Sequence, residues 1–459
     1  MEKSVAFCTL GCKVNQYETD AMREMFVSGG YEVKEFSKPA SVYVINTCTV
    51  TNMADRKSRQ MLHRARKKNP DSIIVAVGCY VQAAREQLET DDMVDIVIGN
   101  NMKNQVVRVV EQYMKDSGRM ENNKKAWIPD IAHEQDYESM TITTVSEHTR
   151  AYIKIQDGCN QFCSYCIIPY ARGRVRSRRM EDILDEVRGL IANGYKEIVL
   201  TGIHISSYGL DFDHGASEKA EEDYGPFKNS ALIDLIEALS HVKGLERIRL
   251  GSLEPRIITE EFVSRLCRIP QICPHFHLSL QSGCDDTLKR MNRHYTTRLY
   301  LEKCQLLRSY FDRPALTTDV IAGFPGETDE EFAVTEAFLS EVHFADMHIF
   351  KYSRRQGTKA ADMPGQVDPQ IQTMRSDRLI ELAARMHDDY LETCRDQEQQ
   401  VLIEEETEIN GVKYMTGHSR NYIRCAFEPE GLSPNMIVTG RIDTSLKLNE
   451  DFVFCKIID

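Results

Sequence analysis

Three cysteines stand in the run Gly158-Cys159-Asn-Gln-Phe-Cys163-Ser-Tyr-Cys166, a C-x3-C-x2-C spacing. Thiolate is the usual protein ligand of iron in a four-iron cubane, which takes one ligand at each iron. Three closely spaced cysteines fill three corners and leave one iron open to a substrate or cofactor. A fully ligated electron-transfer cluster has no such opening. The competing reading makes positions i, i+4 and i+7 the buried stripe of a helix. Gly158 in front and Pro169 behind disfavour an uninterrupted helix there. Zinc would want a fourth ligand, and the nearest downstream histidine is His204.

A second set shares no local motif. Cys12, Cys48 and Cys79 each sit just beyond a run expected to be a strand. In a parallel sheet such strand ends share one edge, where loops converge on ligands. Three thiols on that edge suit a second cubane with a free iron; three ordinary loop cysteines are the alternative. Cys8 falls inside the first strand and reads as core. Cys267, Cys273, Cys284, Cys304, Cys394, Cys425 and Cys455 lie in no metal-like spacing and read as small buried hydrophobes.

The elements that must position these residues are legible from periodicity. Strands are expected at 5–8, 42–45, 73–77 and 96–98, with helices near 19–28, 54–69, 81–89 and 104–114. This alternation implies an α/β architecture with a parallel sheet covered on both faces. The stretch 121–147 reads as a linker and 211–230 as a polar surface loop. Strands at 153–156, 197–200, 247–250, 275–280, 316–321 and 347–350, each trailed by a helical segment, make six βα units. That is a partial barrel, two units short of closure. A charged helix follows at 371–398, and five short strands after residue 400 predict a small β-barrel. The expected units are 1–120, 148–385 and 395–459.

At 459 residues, 42% apolar and 28% charged, the chain reads as a soluble multidomain protein. It shows no membrane-length apolar run and no secretory start, so the expected location is the cytoplasm. Fourteen cysteines in a reducing compartment point to metal or redox chemistry rather than disulfides. A net charge of −13 excludes a globally basic nucleic-acid binder. Any RNA contact then needs local patches. Two stand out: Arg56, Lys57, Arg59, His63, Arg64, Arg66, Lys67 and Lys68 on one helix, and Arg172, Arg174, Arg176, Arg178 and Arg179 after the cysteine loop.

The C-x3-C-x2-C loop after the first strand of a six-unit barrel resembles the radical S-adenosylmethionine superfamily. With Leu10-Gly-Cys-Lys-Val-Asn-Gln, Asn46-Thr-Cys, Gly78-Cys and Ala322-Gly-Phe-Pro-Gly-Glu, nearly the whole chain is similar to methylthiotransferases of that superfamily. The resemblance implies two 4Fe-4S clusters and S-adenosyl-L-methionine as cofactors. It gives the radical-generating cluster to Cys159, Cys163 and Cys166, an auxiliary, sulfur-bearing cluster to Cys12, Cys48 and Cys79, and a TRAM-like RNA-binding role to the tail. It also implies two uses of S-adenosylmethionine, one as methyl donor to the sulfur and one as the source of a 5′-deoxyadenosyl radical.

Three branches of the family differ in substrate: isopentenyl-adenosine in tRNA, N6-threonylcarbamoyladenosine in tRNA, and an aspartate of a ribosomal protein. Thr9-Leu-Gly-Cys-Lys-Val-Asn-Gln-Tyr-Glu-Thr-Asp, Ile153-Lys-Ile-Gln-Asp-Gly-Cys and Leu200-Thr-Gly-Ile-His are most similar to the threonylcarbamoyl branch, which acts at position 37 beside the anticodon. A rival of another class is a two-cluster iron–sulfur carrier or electron-transfer protein. Cofactor contacts are expected from Gly202, Ser279, Gln281, Gly323 and Gly326, and tRNA contacts from Arg172, Arg174, Arg176 and Arg178. Tyr414, Tyr422 and Phe427 offer stacking faces. Arg354 and Thr358 resemble a family motif near the site, from which Arg355 and Gln356 depart. The implied partners are tRNA, a flavodoxin- or ferredoxin-like electron donor and a sulfur source, with no membrane.

Overall fold

The structure, a computed structural model, describes residues 3–116, 125–144, 149–212 and 229–458. Most of the polar loop expected at 211–230 lies outside the described residues, as does part of the 121–147 linker.

The first sheet contains β1 (Ser4–Thr9), β2 (Glu32–Lys34), β3 (Val42–Thr47), β4 (Ile73–Gly78), β5 (Ile96–Ile98) and β6 (Lys125–Trp127), all parallel, in the order β2-β1-β3-β4-β5-β6. Its helices are α1 (Lys13–Ser28), α2 (Asn52–Lys68), α3 (Cys79–Ala83), α4 (Arg85–Glu89) and α5 (Val106–Asp116). The apolar runs of β3 and β4 are buried at every position, as inner strands covered on both faces must be. Met22, Phe26, Val106 and Val110 pack on one face. Leu62, Ala65, Val81 and Leu88 pack on the other. The edge strands β2 and β6, three residues each, were too short to show a period. Helix α1 starts six residues earlier than expected, at Lys13, because its polar first turn hides the apolar repeat. The helix expected at 81–89 is two short ones broken at Ala84.

The second unit carries β7 (Arg150–Asp157), β8 (Arg176–Ser177), β9 (Glu197–Gly202), β10 (Arg247–Leu250), β11 (His275–His277), β12 (Ala315–Ala322) and β13 (Asp346–Lys351). Helix α6 (Ile168–Arg172) follows the cysteine loop. Around the strands lie α7 (Met180–Ala192), α8 (Ala231–Ser240), α9 (Glu260–Leu266), α10 (Asp285–Arg290), α11 (Thr297–Tyr310), α12 (Asp329–Val342) and α13 (Pro369–Thr393). Two sheets, β10-β9-β7-β8 and β11-β12-β13, are joined by the parallel bridges Ile248–Ile272 and Leu253–Leu278. The six βα units thus form a partial barrel. Ile153, Ile155, Ile198, Leu200, Ile248 and Leu250 pack outward against helices, so strand alternation turns Lys154, Gln156, Glu197 and Arg249 to the lumen.

Helix α13 runs on to Thr393 and leads into β14 (Glu398–Ile409), β15 (Val412–Ser419), β16 (Arg424–Phe427), β17 (Ile437–Lys447) and β18 (Val453–Ile457), closed in the order β14-β15-β16-β18-β17. This small barrel seals the base of the large one. Tyr422, in the turn after β15, stacks on His275 at 4.4 Å, and the guanidiniums of Arg249 and Arg150 lie 4.8 and 5.5 Å from its ring centre. Arg249 also donates to the carbonyls of Ser419 and Arg420. Tyr422 is therefore part of the floor and Phe427 part of a buried core. Neither offers RNA a stacking face. No helix among the described residues is long and apolar enough to cross a membrane.

The same floor carries a pH signature. Burial alone would raise the Glu197 carboxyl, but Arg249, Arg150 and Arg247 outweigh it and bring it down to about 2. A depressed carboxyl gives stability that is complete above its ordinary titration and lost as acid reaches the folded value. Unfolding free energy is expected to fall by roughly 3 kcal/mol from this group between about pH 4.5 and pH 2. Denaturant titrations of Glu197→Gln should start weaker at neutral pH and lack that step.

Candidate metal centres

Strands β1, β3 and β4 are neighbours with level ends, Thr9 pairing with Asn46 and Thr47 with Gly78. Cys12, Cys48 and Cys79 follow those ends directly. Cys12 caps α1 and Cys79 opens α3. Gly11 has φ +101°, and a Cβ there would stand 2.9 Å from the Cys48 sulfur, so only glycine lets the first loop fold over the second. Asn15 ties the first two loops together, donating to the carbonyls of Leu10 and Thr47. Cys48 and Cys79 are buried and Cys12 is exposed.

The second triad lies on the loop between β7 and α6. The Ser164 amide donates to the Met291 carbonyl, and its own carbonyl accepts from the Ala360 amide at 2.7 Å. Tyr165 packs edge-on to Phe324. Gly158 has φ +71°, and a Cβ on it would fall 1.8 Å from the Arg174 carbonyl oxygen. Gly158→Ala is therefore expected to displace the loop; iron analysis after anaerobic reconstitution should show about four irons per chain instead of eight.

Each of the six sulfurs faces an N–H donor. The Arg172 Nε lies 3.1 Å from Cys79 and an Arg293 terminal nitrogen 3.3 Å from Cys163. The Gln161 amide lies 3.5 Å from Cys159. Backbone amides of Asn15, Val50 and Ile168 serve Cys12, Cys48 and Cys166. Such donors favour thiolate over thiol. Burial works the other way, pushing Cys48 up to about 11 and Cys166 up to about 12, so loading the sites releases protons. Among the described residues the one trio of metal-type ligand atoms lying within 4.8 Å of one another is His277, Asp319 and His348. A single zinc with bonds of about 2.3 Å would draw its sulfurs to roughly 4 Å apart, whereas in a cubane each thiolate serves a different iron. The residues present fit two four-iron clusters.

Arg172 joins the two centres. It is fully buried at the end of α6 and reaches from the cysteine loop's own helix to Cys79, Asn15 (2.6 Å), Glu18 (2.9 Å) and Asp157 (3.0 Å). Lys154 bridges the same carboxylates at 2.7 and 2.6 Å, and Lys103 reaches Glu18 at 3.0 Å. This placement corrects the expected tRNA contacts. Arg176 donates to the Arg172 and Arg174 carbonyls, Arg178 pairs with Glu186, and both are buried. Glu18 and Asp157 hold Arg172 inside, Glu186 holds Arg178, and backbone carbonyls hold Arg176. Arg174 alone stays exposed, its guanidinium 4.5 Å from the Phe162 ring centre. With Tyr170, Pro169, Gln82 and Asp130 it lines an open groove of about 300 Å³ beside the cysteine loop. On α2, Arg56, Lys57, Arg59, Arg64 and Lys67 are exposed.

Among the expected cofactor residues, Gly202 abuts Gln156, whose Oε1 accepts from the His204 amide at 2.7 Å. Leu278 and Leu280 belong to the core, so Ser279 and Gln281 face the lumen, half-buried. The Ser279 carbonyl accepts from Arg293 and Tyr295. Gly323 and Gly326 are placed differently from expectation. A Cβ on Gly323 would meet Gln372 of α13 at 2.4 Å, and Gly326 packs beside Arg290 and Gly365. The close approach they permit is that of α13 and the loop before it; the turn reaches the cluster loop through Phe324. Arg355, a departure from the family motif, is buried and ties Thr49, Asn52 and Asp55 of the first unit to the barrel, each at 2.7 Å. Sequence reasoning gave no role to Arg293, Arg355 or the lumen trio of His277, Asp319 and His348. Only contacts across long separations reveal them.

Residues 4–99 match the Uncharacterized protein family UPF0004 and residues 153–339 the Radical SAM superfamily. The Threonylcarbamoyladenosine tRNA methylthiotransferase MtaB of Bacillus subtilis is 40% identical over 93% of this chain and 90% of its own length. The protein of the same name in Aquifex aeolicus is 37% identical over 90% and 95%. A tRNA-2-methylthio-N(6)-dimethylallyladenosine synthase of Finegoldia magna is 33% identical over 90% and 86%. Among solved structures, the radical S-adenosylmethionine methyltransferase TsrM of Kitasatospora setae, with cobalamin and a 4Fe-4S cluster bound, shares the fold at a TM-score of 0.55 and 14% identity, covering 87% of this chain and 81% of that one. With two cysteine triads joined across one interface and relatives of this identity along nearly their full length, the chain belongs to the radical S-adenosylmethionine methylthiotransferase family.

Proposed function

We propose that this protein converts N6-threonylcarbamoyladenosine at position 37 of tRNA to its 2-methylthio derivative. The observation that supports this most strongly is the single buried guanidinium of Arg172, spanning the interface between two triads that each leave one iron of a cubane free. It accords with the greater identity to relatives named for this nucleoside than to the Finegoldia magna relative named for the dimethylallyl one. Cys159, Cys163 and Cys166 would hold the cluster that binds S-adenosylmethionine and would supply radical chemistry, and Cys12, Cys48 and Cys79 would hold the cluster that would supply the sulfur.

The chain's own residues do the rest. Arg172 and Arg293 donate to thiolates on either side and hold the two ligand loops in place. Burial together with Arg293 and Arg256 brings His204 down to about 3, so this ring stays neutral beside Ser207 and carries no charge into the site. Ser279 and Gln281 offer polar groups to S-adenosylmethionine from the lumen wall, and Gly202 leaves room beside Gln156. Arg174, Phe162 and Tyr170 form a stacking and phosphate-binding lip for the anticodon loop, and the exposed cations of α2 extend it. A flavodoxin- or ferredoxin-like donor supplies electrons, a separate source restores the sulfur, and the setting is cytoplasmic. The units 1–120, 148–385 and 395–459 divide these tasks.

The decisive experiment uses the full chain, reconstituted anaerobically with iron, sulfide and reductant. It is given S-adenosylmethionine and anticodon stem-loops carrying threonylcarbamoyl- or dimethylallyl-adenosine. Nucleoside mass spectrometry should find one added methylthio group on the first. Modification of the second alone, or of neither, overturns the assignment.

A further inference from the structure

Strand alternation places a set of metal-type ligand atoms on the wall formed by β11, β12 and β13. Leu278, Val320 and Met347 pack outward in the core, which turns His277, Asp319 and His348 to the lumen. Asp319 and His348 are partners in the parallel register, and His277 pairs with Thr317, the lumen-facing position before Asp319. The result is two imidazoles and a carboxylate with their ligand atoms within 4.8 Å of one another. His277 Nε2 lies 3.4 Å from an Asp319 carboxylate oxygen, and the two histidine rings stand 27° from parallel with centres 6.0 Å apart. The His277 ring is held from behind. Its Nδ1 lies 3.1 Å from the Thr317 hydroxyl, which in turn lies 3.3 Å from Nε2 of His275, the ring stacked on Tyr422. Nδ1 is thereby engaged and Nε2 is the nitrogen presented to Asp319. An outer hydrogen bond of this kind is what orients a histidine on a metal ion.

We infer that His277, Asp319 and His348 bind one divalent transition-metal ion, of the zinc or ferrous class, at a site separate from both cysteine triads. Bonds of about 2.1 Å to a common ion set neighbouring ligand atoms roughly 3.0–3.4 Å apart, so His277 and Asp319 already stand at that spacing. His348 is exposed on the edge strand of its sheet, free to turn its ring and close the third bond. Two imidazoles and a carboxylate, with no thiolate, suit a single first-row ion and not an iron–sulfur cluster. The ion also settles a conflict of lone pairs, since a carboxylate oxygen and an unprotonated ring nitrogen are both acceptors. A shared proton would satisfy that pair alone; an ion uses all three side chains. Three protein ligands leave a position for water or for an oxygen donor on a molecule in the lumen, where Ser279 and Gln281 stand further along the same wall. The site is independent of which nucleoside the protein modifies.

The test uses full-length protein with both clusters loaded, so that the cysteines are occupied, washed with a mild chelator and dialysed anaerobically against micromolar zinc. Zinc outcompetes ferrous iron at such ligands. Metal analysis is expected to find one zinc per chain beside the iron of two clusters. X-ray absorption at the zinc edge should show only nitrogen and oxygen neighbours, at about 2.0–2.2 Å. His348→Ala changes an exposed residue and leaves the fold intact; it should weaken zinc binding at least about tenfold, the least that loss of even an outer-shell partner costs, with iron unchanged. Asp319→Asn should do the same, and His348→Asp, which keeps a ligand atom on β13, should retain the zinc. Wild-type protein that takes up no zinc overturns the inference. So does sulfur among the zinc neighbours, which would place the ion on cysteine, and so does undiminished binding in His348→Ala and Asp319→Asn, which would place it elsewhere on the surface.

Discussion

Exchanging Cys159, Cys163 and Cys166 together for alanine is expected to leave a protein with about four irons per chain that forms no detectable 5′-deoxyadenosine from S-adenosylmethionine. The reciprocal variant, lacking Cys12, Cys48 and Cys79, should also hold about four irons. It should still cleave S-adenosylmethionine but attach no methylthio group to RNA. The asymmetry follows from where the triads sit: one on a loop at the mouth of the barrel, the other on the edge of a separate sheet. Iron analysis, chromatography of the adenosyl product and nucleoside mass spectrometry read the three outcomes independently. Loss of adenosyl cleavage in both variants would mean that the two centres are not the separate units described above.

Arg172→Met should have the largest effect on stability. It strips a guanidinium from two buried carboxylates and a thiol at once. Removing one member of a buried ionic network typically costs about 3–5 kcal/mol, and Lys154 and Lys103 remain to offset part of it. Acid response gives a second readout. Burial opposes ionisation of Glu18, but Arg172, Lys103 and Lys154 outweigh it and hold the carboxyl well below its usual range. Asp157 is held down in the same way by Arg172, Lys154 and Arg176. The stability these groups confer is complete above about pH 4.5 and lost as acid protonates them. Without Arg172 both carboxyls move upward, so the acid limb of the unfolding curve should shift to higher pH. A variant with wild-type midpoints at neutral pH and an unshifted acid limb would show that Arg172 is not a structural tie.

Much of this is legible in the sequence. The cysteine spacing, the strand-end positions of Cys12, Cys48 and Cys79, and the six βα units are local patterns, and local patterns survive in sequence. The arginines after the cysteine loop were not legible. Arg172 and Arg178 look like a solvated basic run, yet their carboxylate partners Glu18 and Glu186 lie 154 and 8 residues away and come from different helices. Tyr422 gave the same difficulty: an aromatic in a small β-barrel reads as a stacking face until the turn that carries it is seen inserted beneath the neighbouring barrel. Gly323 and Gly326 show the converse limit. Glycines after a strand promise close approach but do not say of what, and here it is a helix some fifty residues on.

The tyrosine at the floor gives the carboxy-terminal barrel a second task besides any grip on RNA. A chain cut after Thr393 would lose the stopper that keeps Arg150, Arg249 and His275 from bulk water. Reactive carbon centres survive only where solvent and stray hydrogen donors are kept out, so such a truncated protein would leak from below, spending reductant on side reactions however well it gripped its RNA.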